Sequence, residues 1–235
     1  MSAPSPNGDV LSDLVDANHI LFKQGVVDAF GHVSVRDPRQ ADRFWLSRSK
    51  APALVSSDDL MCFDLEGLSE GDERSPYLER FIHSEIYRTR SDVMAVLHSH
   101  SPASIPFGVV NIPLRPVCHT CGFLTGRTPV FEIREYAASG SDLLIRNGVL
   151  GRALARCLGD KNVVLMRGHG LTVVGLNLRQ VVFRGVYTEL NARVQAQALS
   201  LSQSVTYLTD EEAMAIDATN QAQLGRAWDL WMRDL

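Results

Sequence analysis

Apolar residues between Val10 and Lys23 recur at roughly helical spacing, with Leu11, Leu14, Val15, Ile20 and Leu21 on one side and Gly25 just beyond. The pattern predicts an amphipathic first helix behind a flexible polar leader over residues 1–9. The periodicity then changes. Phe30-Gly31-His32-Val33-Ser34-Val35-Arg36 alternates and is β-branched, and after a polar turn Arg43-Phe44-Trp45-Leu46-Ser47 continues the alternation, which predicts a hairpin.

Ser75-Pro76 offers a cap and a first-turn proline, so a helix is expected from there to about Arg90, with Glu79, Ile82, His83 and Ile86 on one face. A buried strand follows over Val93–His100, then a short helix after Pro102. A further strand is expected over Pro113–Phe123 and a helix over Asp142–Leu158. Two strands, Asn162–Met166 and Leu171–Val174, flank the turn Arg167-Gly168-His169-Gly170. A long helix then runs from the cap Asn177 to about Ser202, before a Thr209-led helix and a Trp-containing tail. No repeat, low-complexity tract or linker divides the chain. Strands interspersed with helices imply one α/β domain over residues 10–235, a three-layer α/β/α arrangement around a central, largely antiparallel sheet, with a C-terminal helical tail.

Composition narrows the function. The 235 residues are 45% apolar and 21% charged, as in ordinary globular domains. A formal charge of −4 with scattered arginines gives no electrostatic reason to bind nucleic acid or an anionic membrane. No apolar run approaches the roughly 20 residues of a membrane span, and the N-terminus lacks an apolar signal core, so a cytoplasmic protein is expected. Four cysteines, Cys62, Cys118, Cys121 and Cys157, are too few for a disulfide framework in a chain of this length. Cys118-His119-Thr120-Cys121 has no second ligand pair; it reads as small apolar fillers in a strand.

Chemistry concentrates in the histidines. On a strand, His98 and His100 project to the same side with Ser99 turned away. Alone, the pair reads more readily as two histidines in contact with water at a strand end than as a metal site. His169, flanked by glycines that allow close backbone approach, is a candidate third ligand. Three neutral imidazoles leave a divalent cation its full charge and an open position, which suits Lewis-acid chemistry on an oxygen-bearing substrate. Glu79 is the natural general acid or base beside it, and His83, one turn later, reads as a hydrogen-bonding neighbour.

Taken in order, Gly31-His32-Val33-Ser34-Val35-Arg36, Glu79 with His83, Asp92 leading into His98-Ser99-His100, and Gly168-His169-Gly170 resemble the class II aldolase/adducin family over about residues 10–205. The resemblance implies that His98, His100 and His169 hold one divalent ion per subunit, with Mn2+ or Zn2+ expected and Fe2+ or Co2+ as alternatives. It also implies that Glu79 is the catalytic carboxylate and that the enzyme is a homotetramer with active sites at subunit interfaces.

The departures matter as much. Sugar-phosphate aldolases of the family carry asparagine where this chain has His32, and hydroxyl-rich loops where it has Ser47-Arg48-Ser49-Lys50 and Tyr77-Leu78. A phosphate cradle is therefore missing, while Arg48 can meet a carboxylate with two parallel hydrogen bonds. The segments around His32 and Arg48 are similar to the family's decarboxylase branch, which acts on hydroxylated pyridine or benzene dicarboxylates. The implied function is metal-dependent, non-oxidative decarboxylation, with Ser34, Ser47, Arg48 and Ser49 contacting the aromatic carboxylate and His119 reaching the same or a neighbouring site. Glu79 or His32 delivers the proton. The alternatives are a retro-aldolase, a mononuclear iron oxygenase and a non-catalytic adducin-like interaction module.

Overall fold

The computed structural model describes residues 6–69 and 71–235, with side chains from Val10 onward in the first helix. That helix, α1, spans Pro6–Lys23. Of the leader expected over residues 1–9, residues 1–5 lie outside the described ones, and Pro6 to Asp9 are helical. Proline at a first helical position gives up an N–H that would have no helical partner.

The strands β1 (His32–Arg36), β2 (Arg43–Ser47), β3 (Leu60–Asp64), β4 (Ala95–Ser99), β5 (Val130–Phe131), β6 (Val163–Met166) and β7 (Gly170–Gly175) form one sheet in the order β3-β2-β1-β4-β7-β6-β5. Every neighbouring pair is antiparallel except β5 with β6. The helices α2 (Arg80–Thr89), α3 (Ile105–Val109), α4 (Gly148–Leu158), α5 (Leu178–Leu201), α6 (Asp210–Gln221) and α7 (Leu224–Arg233) complete the fold.

Alternation along each strand feeds two separate cores. Val33 and Val35 of β1, Ala95 and Leu97 of β4, and Leu171 and Val173 of β7 face α1, α5 and α7. Phe44, Leu46, Val96, Val164 and Val174 face α2 and α4. This is the expected α/β/α layering around a largely antiparallel sheet. Among the described residues no helix is long and apolar enough to cross a membrane.

Three expected elements differ. Ser75-Pro76 does not open a helix: the Ser75 carbonyl accepts the Ser49 N–H at 2.8 Å and Pro76 bridges Arg48, so the segment is extended and α2 begins only after Glu79. The strand expected over Pro113–Phe123 is absent. The Asn191 side chain of α5 binds Val117 N–H and the Arg115 carbonyl, and Gln195 binds Arg115 N–H and the Pro113 carbonyl. Side-chain amides thus satisfy groups that a neighbouring strand would have paired, and His119–Leu124 turn into a 3-10 helix. The cysteines at 118 and 121 consequently sit in a turn, with the Cys121 thiol 3.2 Å from the Tyr187 carbonyl.

The helix expected from Asp142 starts at Gly148 instead, capped by Asn147, whose side chain accepts Leu150 N–H at 3.0 Å. Leu143 stands at φ 68°, a left-handed conformation that interrupts a helix.

Candidate metal centre

The register of β1 and β4 places His32 directly opposite His98, and both side chains point toward α2. Ser99, one residue on, turns away and donates to the Val26 carbonyl on the other face. His100 lies just past the end of β4. His169 enters from the β6–β7 turn, where Gly168 takes φ 65°. At Gly170 a Cβ would stand 2.0 Å from the Ser99 carbonyl oxygen, so only glycine lets β7 pass this close to β4.

The result is a tight cluster. His100 Nε2 is 3.2 Å from His98 Nε2 and 3.0 Å from His169 Nε2. Glu79 Oε2 is 3.4 Å from both His98 Nε2 and His169 Nε2. One donor atom from each of the four residues lies within 4.8 Å of the others.

Backbone carbonyls fix the imidazole tautomers. A carbonyl oxygen only accepts, so His98 Nδ1–H donates to Leu171 O and His169 Nδ1–H to Leu143 O, both at 3.1 Å. Their Nε2 atoms are left with lone pairs, and these point at one another and at the Glu79 carboxylate. Lone pairs so close repel unless a positive charge lies among them. Two nitrogens each about 2.1 Å from a common ion stand roughly 3.0 to 3.4 Å apart at ordinary coordination angles. The donor set therefore fits a divalent cation, and the two carbonyls orient the ligands as such partners do in metal sites.

Burial pushes His100 down to about 4, and His98 and His169 add to the shift, so its imidazole is neutral and able to ligate at neutral pH. Glu79 is buried, which raises its pKa, but positive charge at the His98 and His169 positions beside it outweighs this and holds it well below the usual carboxylate range. Its other oxygen, Oε1, accepts the Ile145 N–H at 2.9 Å. The non-helical stretch before α4 thus serves the site twice, through Leu143 O and Ile145 N–H.

A cavity of about 560 Å³ opens over the cluster, lined among others by Phe30, His32, Lys50, Tyr77, Glu79 and His100. Leu78 and Leu144 add aliphatic walls, and Ser49 also reaches it. Phe30 is 65% exposed and Leu78 54%, so the rim is apolar and open.

Four of the residues expected at the substrate lie elsewhere in this chain. Arg48 directs its Nε to Asp59 Oδ1 at 2.7 Å and does not line the cavity. Ser47 is buried and donates to the Tyr77 hydroxyl at 3.1 Å. Ser34 is buried between His83 Nδ1, at 2.6 Å, and the Tyr87 hydroxyl, at 2.8 Å. His119 is exposed on the turn beside α6, where its carbonyl accepts from Asn220.

Lys50 is the cation that reaches the cavity, and sequence reasoning assigned it no role. It shares Asp59 with Arg48, at 2.6 and 2.7 Å. Two cations on one carboxylate leave a net positive charge beside the cavity. Spacing gave no signal for it, because the chain bends at Ser49, and Ser49 and Lys50 both line the cavity while Arg48 does not.

Residues 12–196 match the class II aldolase and adducin N-terminal domain. The chain is 38% identical over 240 residues to decarboxylase tropJ of Talaromyces stipitatus, covering 92% of this chain and 90% of that one. It is 27% identical to a 3,4-dihydroxyphthalate decarboxylase of Arthrobacter keyseri, covering 83% and 81%. In fold it is similar to an L-fuculose 1-phosphate aldolase from Glaciozyma antarctica, with a TM-score of 0.79 at 23% identity over 99% of this chain and 94% of that one. With its four-residue cluster set on this sheet and its family match spanning most of its length, the chain belongs to the class II aldolase and adducin family.

Proposed function

We propose that this protein is a metal-dependent, non-oxidative decarboxylase of a hydroxylated aromatic or pyridine carboxylate. The observation that carries the reading is a three-imidazole cluster beneath a cavity walled by Phe30, Tyr77 and Leu78, a flat apolar slot where a sugar-phosphate enzyme needs hydroxyls and amides. The activity in the names of the tropJ and dihydroxyphthalate relatives supports it.

His98, His100 and His169 would hold one divalent ion per subunit, Mn2+ or Zn2+ with Fe2+ or Co2+ as alternatives, and such an ion supplies Lewis-acid stabilisation of negative charge on a substrate oxygen. The rest belongs to the chain's own side chains. Phe30 and Tyr77 offer the ring two aromatic walls. Lys50, with Ser49 beside it, attracts a carboxylate, while Asp59 holds the lysine in place. Glu79, steadied by Ile145 N–H, would take the proton of the substrate's ring hydroxyl and pass it to the ring carbon as carbon dioxide leaves, or His32 would give that proton. The open rim at Phe30 and Leu78 supports a homotetramer in which a neighbouring subunit closes each cavity, and an exposed His119 is free to reach across to one.

An anaerobic incubation in deuterium oxide with 3,4-dihydroxyphthalate and 3-hydroxy-2-methylpyridine-4,5-dicarboxylate tests the reading. One carboxyl should be lost and one deuterium should appear at the vacated ring carbon. A strict need for oxygen, or cleavage of a sugar phosphate with both acids untouched, would overturn it.

A further inference from the structure

Beside the metal cluster a buried chain of hydrogen bonds runs from α2 to the cavity wall. The Tyr87 hydroxyl lies 2.8 Å from Ser34 Oγ, Ser34 Oγ lies 2.6 Å from His83 Nδ1, and His83 Nε2 lies 2.6 Å from His32 Nδ1. All four residues are buried, so every hydrogen of the chain except one that faces the cavity must find its acceptor within the protein. Phe44 stacks on His83, with the ring planes 13° apart, and holds the imidazole in place. His32 then presents its remaining nitrogen, Nε2, to the cavity that it lines.

With both imidazoles neutral, two orders run through the chain in a single direction; a mixed one, with His83 Nδ1–H and Tyr87 O–H both donating to Ser34 Oγ, strands the hydrogen of Ser34, whose hydroxyl has no other partner among the described residues. In the first, Tyr87 O–H donates to Ser34 Oγ, Ser34 O–H to His83 Nδ1, and His83 Nε2–H to His32 Nδ1. His32 then carries its hydrogen on Nε2. In the reverse order, His32 Nδ1–H donates to His83 Nε2, His83 Nδ1–H to Ser34 Oγ, and Ser34 O–H to the phenol oxygen. That order strands the hydrogen of Tyr87 itself, because Ser34 Oγ is the one acceptor within hydrogen-bond distance of this hydroxyl among the described residues. A buried donor without a partner is costly, and the first order is the one in which the hydrogens of Tyr87, Ser34 and His83 all find acceptors, leaving only the His32 Nε2–H to face the cavity.

We propose that Tyr87, Ser34 and His83 act as positioning residues that fix His32 in the Nε2–H tautomer, a neutral hydrogen-bond donor aimed at a negatively charged oxygen of the substrate. A neutral imidazole polarises an oxygen and does not protonate carbon. The proposal therefore deepens the decarboxylase reading, on which the nature of that oxygen rests, and leaves Glu79 as the residue that moves the proton. The tautomer itself does not depend on the substrate.

Nitrogen-15 NMR of histidine-labelled, zinc-loaded protein reads the proton order directly, with the His32 signals assigned by their absence from His32→Asn. The expected result is an unprotonated Nδ1 and a protonated Nε2 in His32; the opposite assignment overturns the proposal. Ser34→Ala, which cuts the relay, should populate both tautomers and lower kcat about two- to tenfold with KM little changed, as the donor form is diluted, and Ser34→Thr, which keeps the hydroxyl, should restore both readouts. An unchanged tautomer and kcat in Ser34→Ala would overturn it too. The expected tautomer in a protein that releases no carbon dioxide from any hydroxylated aromatic acid would sink the decarboxylase reading and leave the relay standing.

Discussion

The side chains of the cluster divide between holding charge and moving it, and single substitutions separate the two. His169→Ala removes one of three imidazoles and should leave dialysed protein without bound metal by elemental analysis, with turnover lost as well. Glu79→Gln keeps the shape and the three imidazoles. It should retain metal while kcat falls by about 10²- to 10⁴-fold, and retention of near-normal kcat would remove Glu79 from proton transfer. Burial, with His98 adding to it, pushes His83 down to about 3, below the value of about 6.5 in an unfolded chain. The unfolded state therefore takes up a proton first. The stability due to a neutral His83 is complete above pH 6.5 and is lost as pH falls from there toward 3. Urea midpoints of metal-stripped protein should fall through that window, more shallowly in His83→Gln than in the parent.

Elements supply the precision that residues alone lack. The pass of β7 against β4 depends on Gly170, where a Cβ would press on the Ser99 carbonyl at 2.0 Å. Gly170→Ala should destabilise the fold by about 1–3 kcal/mol or more and weaken metal binding, measured by thermal unfolding with and without zinc. Helices and strands with strong periodicity were legible in the sequence: β1 and β2, β4, the pair around His169, and α5 with its Asn177 cap. The segments that escaped are those in which tertiary partners replace local ones. Residues 113–118 look like a strand, but their backbone groups are taken by Asn191 and Gln195. Residues 142–147 look helical, but Leu143 at φ 68° turns its carbonyl to His169 and frees Ile145 N–H for Glu79. His98, His100 and His169 were expected together from alternation along β4 and the glycines around His169, and Glu79 from the face it was read to share with His83; these four are the residues the structure gathers. The substrate side was less legible: Arg48, Ser47 and Ser34 have the right chemistry but spend it on Asp59, Tyr77 and His83.

At the scale of the molecule, the sheet separates one core under α2 and α4 from another under α1, α5 and α7, and the cluster sits where the first of these meets the cavity. Elements distant in sequence, β1, the start of α2, the end of β4 and the β6–β7 turn, converge there. An ion held by His98, His100 and His169 would tie the end of β4 to the β6–β7 turn. Metal at a hundredfold excess over its Kd should stabilise the protein by about 2.7 kcal/mol, visible as a rise in Tm that chelator reverses. The central claim, that these imidazoles hold the ion that makes the protein a decarboxylase, is tested most directly by titrating metal into chelator-stripped protein while following carbon dioxide release from a hydroxylated aromatic dicarboxylate. The account predicts no release without metal and a rate that rises linearly to a break at one ion per chain; release at full rate from stripped protein, or none at any metal content, would contradict it.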